Sequence, residues 1–110
     1  MTNLNALDVT SLTLSYPTQA MTADGAITIT EGVVTLSKGA ALLATLGSPT
    51  AGVDDHKRLT IIALTAQAHT VTSVAGALVA TYSGAIGATL DLIAYNGRWE
   101  IVGSHNVTCA

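Results

Sequence analysis

Between residues 88 and 103, ATLDLIAYNGRWEIVG, apolar and polar positions alternate on both sides of Asn96-Gly97. Alternation of this kind marks a half-buried strand. Asn-Gly suits a two-residue type I′ turn, whose central residues both need φ > 0. The turn predicts the register: Tyr95 opposite Arg98, Ala94 opposite Trp99, Leu92 opposite Ile101 and Leu90 opposite Gly103. One face of the ribbon then carries Leu90, Leu92, Ala94, Trp99 and Ile101, and the other mixes Asp91, Ile93, Tyr95, Arg98, Glu100 and Val102. A slip of one residue would turn the apolar set outward, so the register should be strongly specified. We expect this hairpin at the core of one small all-β domain.

The rest of the chain reads as short strands separated by turn signals. Leu12, Leu14 and Tyr16 alternate with Thr13 and Ser15, and Pro17 ends that strand or confines it to an edge. Residues 1–23 are therefore an N-terminal arm that pairs with another chain or an edge strand of the domain's own sheet, and residues 24–110 are the β domain. Residues 27–30 and 33–36, around Glu31-Gly32, predict a second hairpin. AALLATL at 40–46 fits one or two helical turns or a buried strand, since short apolar runs do not separate the two. Residues 47–57, GSPTAGVDDHK, form the clearest loop, with Pro, two Gly and paired Asp as breakers. Residues 59–64, 68–73 and 77–82 predict strands, 83–87 a Gly-rich turn, and Val107-Thr108 a short last strand. Strands at this spacing suggest a sandwich or barrel of short antiparallel strands.

Composition adds a reason to expect assembly. Charged residues make up 10% of the 110-residue chain and apolar ones 49%, yet aromatics only 4% and Phe none. An average soluble domain carries roughly 25% charge. With so little ionic surface, part of the exterior is expected to be buried in an oligomer or against a partner. The net charge of −3 and the lack of a basic run argue against nucleic acid. No apolar run reaches the length of a membrane span, and the N-terminus has no basic and apolar leader. The single cysteine, Cys109, excludes an intrachain disulfide framework.

Candidate chemistry is sparse. His56, His69 and His105 show no metal-ligand spacing; His69 is expected to hydrogen-bond in or near the core, with His56 and His105 solvated. Asp54 and Asp55 suit an Asx turn and pairing with Lys57 or Arg58 better than a proton-sharing dyad. A hydrolase built on His56 or His69 lacks a nucleophile–base set. Neither catalytic, metal nor cofactor-binding residues are predicted. Trp99, Tyr95 and Tyr82 suggest a sugar-stacking platform, but Trp99 falls on the apolar face and is expected in the core. Tyr95 beside Arg98 is the exposed pair. The candidate partner-binding residues are accordingly Leu12, Leu14, Tyr16, Tyr95 and Arg98.

The strings ADGAITITEGVVTLSKG, SPTAGVDDHKRLTII, QAHTVTS and GAIGATLDLIAYNGRWEIVGSHNVT occur in that order across roughly residues 23–108. Together they resemble small structural proteins of tailed-phage virions. His56 stands where the resemblance leads one to expect Gly after the paired Asp, so His56 must tolerate positive φ or the loop must differ. The resemblance implies a virion component, a capsid decoration or head-fibre protein or a module in a tail protein, and first among these a non-enzymatic decoration protein, a homotrimer on the outer surface of the head. It would bind the major capsid protein, reside in the host cytoplasm during assembly and use no cofactor. The alternative it implies is a tail or fibre module that recognises a host-surface glycan.

Overall fold

The computed structural model describes residues 17–73 and 79–109, and Leu12, Leu14 and Tyr16 lie outside them. Among the described residues, ten strands build two five-stranded sheets. The chain alternates between the sheets at first. β1 (Thr18–Met21), β3 (Gly32–Leu36) and β5 (Arg58–Ala63) enter the first sheet, and β2 (Gly25–Ile27), β4 (Leu43–Leu46) and β6 (Thr70–Ser73) enter the second. Each winding lays its strands parallel to those of the winding before: β1 beside β3 beside β5, and β2 beside β4 beside β6. Parallel neighbours require a crossover, and the crossover is here a strand of the opposite sheet. β7 (Val79–Tyr82) then turns back antiparallel to β6, β8 (Thr89–Tyr95) adds antiparallel to β5, and β9 (Arg98–His105) adds antiparallel to β8 at the sheet edge. β10 (Val107–Cys109) closes the second sheet beside β7. The described residues contain no helix.

The all-β class and the two packed sheets match expectation; the antiparallel pairing does so only for the C-terminal half. The hairpin predicted around Glu31-Gly32 does not form. β2 and β3 lie in opposite sheets, and residues 28–31 carry the chain across the sandwich. Gly32 has a φ of 122° and lies against Pro17, whose carbonyl accepts a 2.9 Å bond from Val33 N–H. A Cβ at Gly32 would sit 2.0 Å from that carbonyl oxygen, so the residue lets β1 and β3 meet. The ambiguous 40–46 run becomes buried Leu42 and strand β4.

The interior is aliphatic. Val34 and Leu36 from β3, Leu46 from β4, Leu59 and Ile61 from β5, and Leu90 and Leu92 from β8 are almost fully buried, with Ala44, Ala63, Ala80 and Ala94 between them. Full burial of a Leu or Ile side chain contributes about 1.5–3 kcal/mol relative to exposure. Tyr82 supplies the largest fully buried side chain, and its hydroxyl donates a 2.8 Å bond to the Ile61 carbonyl. Burial pushes that phenol well above its ordinary pKa, so it remains a donor.

The main hairpin keeps the predicted register from Tyr95↔Arg98 through Leu92↔Ile101. Asn96 and Gly97 both have positive φ, 52° and 79°, as a type I′ turn requires. Beyond Leu92 a bulge inserts Val102, so Leu90 faces Ser104 rather than Gly103. Ile101 was expected on the buried face but is 46% exposed, and Val102 is 50% exposed. Val102 is the bulged residue and Ile101 precedes it, on β9 at the edge of the first sheet, with no further strand beside it among the described residues.

Outward residues of the second sheet align in two rows. Ala26, Thr45, Thr72 and Val79 form one, and Leu43, Thr70, Thr81 and Thr108 the other. No strand of this sheet carries a charged residue.

Candidate functional site

Several charged residues, Asp54, Asp55, Lys57, Arg98 and Glu100, lie in the 47–57 loop and at the β8–β9 hairpin, which together make a rim, while Asp24 pairs with Lys38 beside the start of β4. The 47–57 loop folds over the tip of the β8–β9 hairpin because Asp54 organises it. Its Oδ2 accepts the Thr50 N–H at 2.7 Å, its Oδ1 accepts Lys57 Nζ at 2.9 Å, and its own N–H bonds to the Thr50 carbonyl at 2.8 Å. The Thr50 N–H and then the Lys57 ammonium hold the Asp54 carboxyl below its ordinary pKa. The predicted Asp54–Lys57 pairing is therefore present, and Asp55 takes a different role: its Oδ1 caps the Asn96 N–H at 2.9 Å. Two further bonds join loop and hairpin, His56 N–H to the Ala94 carbonyl at 2.7 Å and Ala94 N–H to the Lys57 carbonyl at 2.8 Å. Trp99 Nε1 reaches the Gly47 carbonyl at 2.9 Å. Trp99 is thus a core residue with its polar edge satisfied, as expected.

His56 adopts a φ of 71°, the conformation that Gly takes without strain. Its imidazole stacks on Tyr95, with ring centroids 5.7 Å apart and planes 25° apart. Tyr95 is 54% exposed, and His56, Asn96 and Arg98 are exposed beside it. The Arg98 guanidinium pairs with Glu100 at 2.8 Å. Of the predicted partner-binding residues, the structure brings Tyr95 and Arg98 to this rim. His56 was expected merely to be solvated, and its place against Tyr95 depends on loop docking across 39 positions of sequence. The departure from Gly at this position was the one available signal. Tyr82, grouped with Tyr95 in the sugar-platform reading, is buried.

His69 lies in the core, fully buried. Its Nδ1 accepts the Leu42 N–H at 3.0 Å. Its Nε2 lies 2.8 Å from Thr65 Oγ1, which donates its hydrogen to the Lys38 carbonyl at 2.7 Å. The Thr65 hydroxyl must then accept from Nε2–H, which fixes the neutral tautomer. Desolvation lowers the His69 pKa. With both nitrogens committed to structure, His69 has no lone pair for a metal or a substrate. Among the described residues no group of three His, Cys, Asp or Glu is placed to hold a metal ion. An open groove of about 320 Å³ lies between Pro17, residues 28–31 and Lys57, but Lys57 is already engaged by Asp54. Comparison of the chain with protein families, curated proteins and solved structures found no match.

Proposed function

We propose that this chain is a non-enzymatic virion structural protein, a capsid decoration protein that binds the outer surface of a tailed-phage head and stabilises it. The observation that carries the reading is the uncharged outer face of the second sheet, five threonines with Leu43, Val79 and Ala26 in two strand-crossing rows. β-Branched side chains on a sheet lose little rotamer freedom on contact. A face without charges imposes no ionic desolvation cost when it is covered. Such a face suits broad, low-specificity contact repeated over many copies, where strength comes from multivalency. The partner is the major capsid protein, and the chain assembles with itself as a homotrimer. The resemblance of the four sequence segments to phage virion proteins supports the same reading.

Purified protein is expected to add back to undecorated heads and raise their resistance to heat. Thr81→Lys places a charge in the middle of the face, and should keep the denaturation midpoint while abolishing head binding. Solution mass should give three chains per particle. Failure of the unsubstituted protein to bind any head form sinks the decoration reading.

A further inference from the structure

The rim is separate from the uncharged face and invites a different ligand. We infer that His56 and Tyr95, with Asp55, Asn96 and Arg98 around them, form a binding site for a neutral hexopyranose. This inference does not depend on the capsid reading.

Three observations carry it. The first is rigidity. Residues 55–57 are joined to 94–96 by three hydrogen bonds of 2.7–2.9 Å, so the backbone that carries the two stacked rings is fixed before a ligand arrives. Preorganisation removes much of the ordering cost of binding.

The second is the identity of residue 56. The turn needs positive φ, and glycine meets that need without strain. Histidine in this conformation gives up stability, and what the chain gains is an imidazole laid on an exposed tyrosine. Strain of this kind at an exposed position points from geometry toward function.

The third is the chemistry of the surround. The rings offer an apolar surface at which a pyranose C–H face can stack. The Asp55 carboxylate accepts hydroxyl protons, the Arg98 guanidinium donates, and the Asn96 carboxamide does both. Asp55 and Arg98 carry opposite charges, so the site does not select an ion. The cations here are already paired, Lys57 with Asp54 and Arg98 with Glu100, so no unpaired positive charge favours a phosphate.

The test is an amide and histidine-ring NMR titration of the full chain. The probes are methyl β-galactopyranoside, methyl β-glucopyranoside and methyl α-mannopyranoside, with adenosine as a flat aromatic control. At least one pyranoside should shift the signals of residues 55–56 and 95–98 and leave those of the uncharged face unmoved. Tyr95→Ala and His56→Gly should each weaken that binding about tenfold or more. His56→Gly should also keep or raise the denaturation midpoint, whereas a purely structural stacking role would lower it. The inference is overturned if none of the three sugars moves these signals, if binding survives both substitutions, or if adenosine binds as well as the sugars.

Discussion

His69 shows how much one side chain settles. It joins Leu42 of the segment entering the second sheet to Thr65 and, through it, to Lys38 of the preceding winding. Replacing it with Ala leaves the Leu42 N–H buried without a partner and opens a cavity, for an expected loss of about 2–4 kcal/mol in denaturant unfolding. Its pH dependence has a definite sign. Burial lowers the folded-state pKa below the ordinary 6.5. As pH falls through that value the unfolded chain takes up a proton that the folded chain refuses, so stability is complete above about pH 6.5 and declines below it. Urea midpoints should therefore fall between about pH 7.5 and pH 5, and a His69→Gln variant should lose that slope. A slope unchanged in the variant would assign the effect elsewhere. Asp24 and Asp54, both held low by backbone and lysine donors, act only in more acid solution, below the ordinary carboxylate value of 3.8.

At the scale of elements, the tightest constraint is the approach of β1 to β3. Gly32→Ala adds a Cβ that meets backbone atoms of Pro17 and forces a side chain into φ 122°. The expected cost is about 3 kcal/mol or more. Gly39→Ala, which meets nothing within 4 Å and needs no positive φ, should be nearly neutral in the same measurement. The outermost strands are managed by side chains as well. The Gln19 carboxamide donates to the Ala26 carbonyl at 3.1 Å and accepts the Thr28 N–H at 2.7 Å, so it stands in for a neighbouring strand along β2. Gln19→Ala exposes those two backbone groups at an edge, and light scattering should show a greater tendency to associate.

At the scale of the molecule, the two five-stranded sheets pack together, and the strands of the second carry no charged residue. Because the first described strand begins at Thr18, deleting residues 2–15 removes none of the ten strands. The shortened chain should remain folded by denaturation while its solution mass falls or its head binding weakens. Unfolding of the shortened chain would instead make those residues part of the domain's own core, against an arm that pairs with a neighbour.

The alternation of residues was enough to determine most strand positions and most inward-facing side chains, because the period of two is a local property of extended backbone, though not β1 at Thr18–Met21 or the exposure of Ile101. Asn96-Gly97 likewise determined its own turn, since few residues accept positive φ at both positions. His69 was legible as a core histidine from its place at a strand start. Partner choice was not legible. A strand with one buried face pairs parallel or antiparallel with the same side-chain pattern, and only the winding between two sheets decided for parallel neighbours in β1 to β6. The bulge at Val102 and the exposure of Ile101 depend on an edge that exists only once the sheet is assembled. The rim cluster has the same origin. Asp55 and His56 reach Asn96 and Tyr95 through hydrogen bonds and stacking between segments some forty residues apart, so tertiary structure alone placed them together.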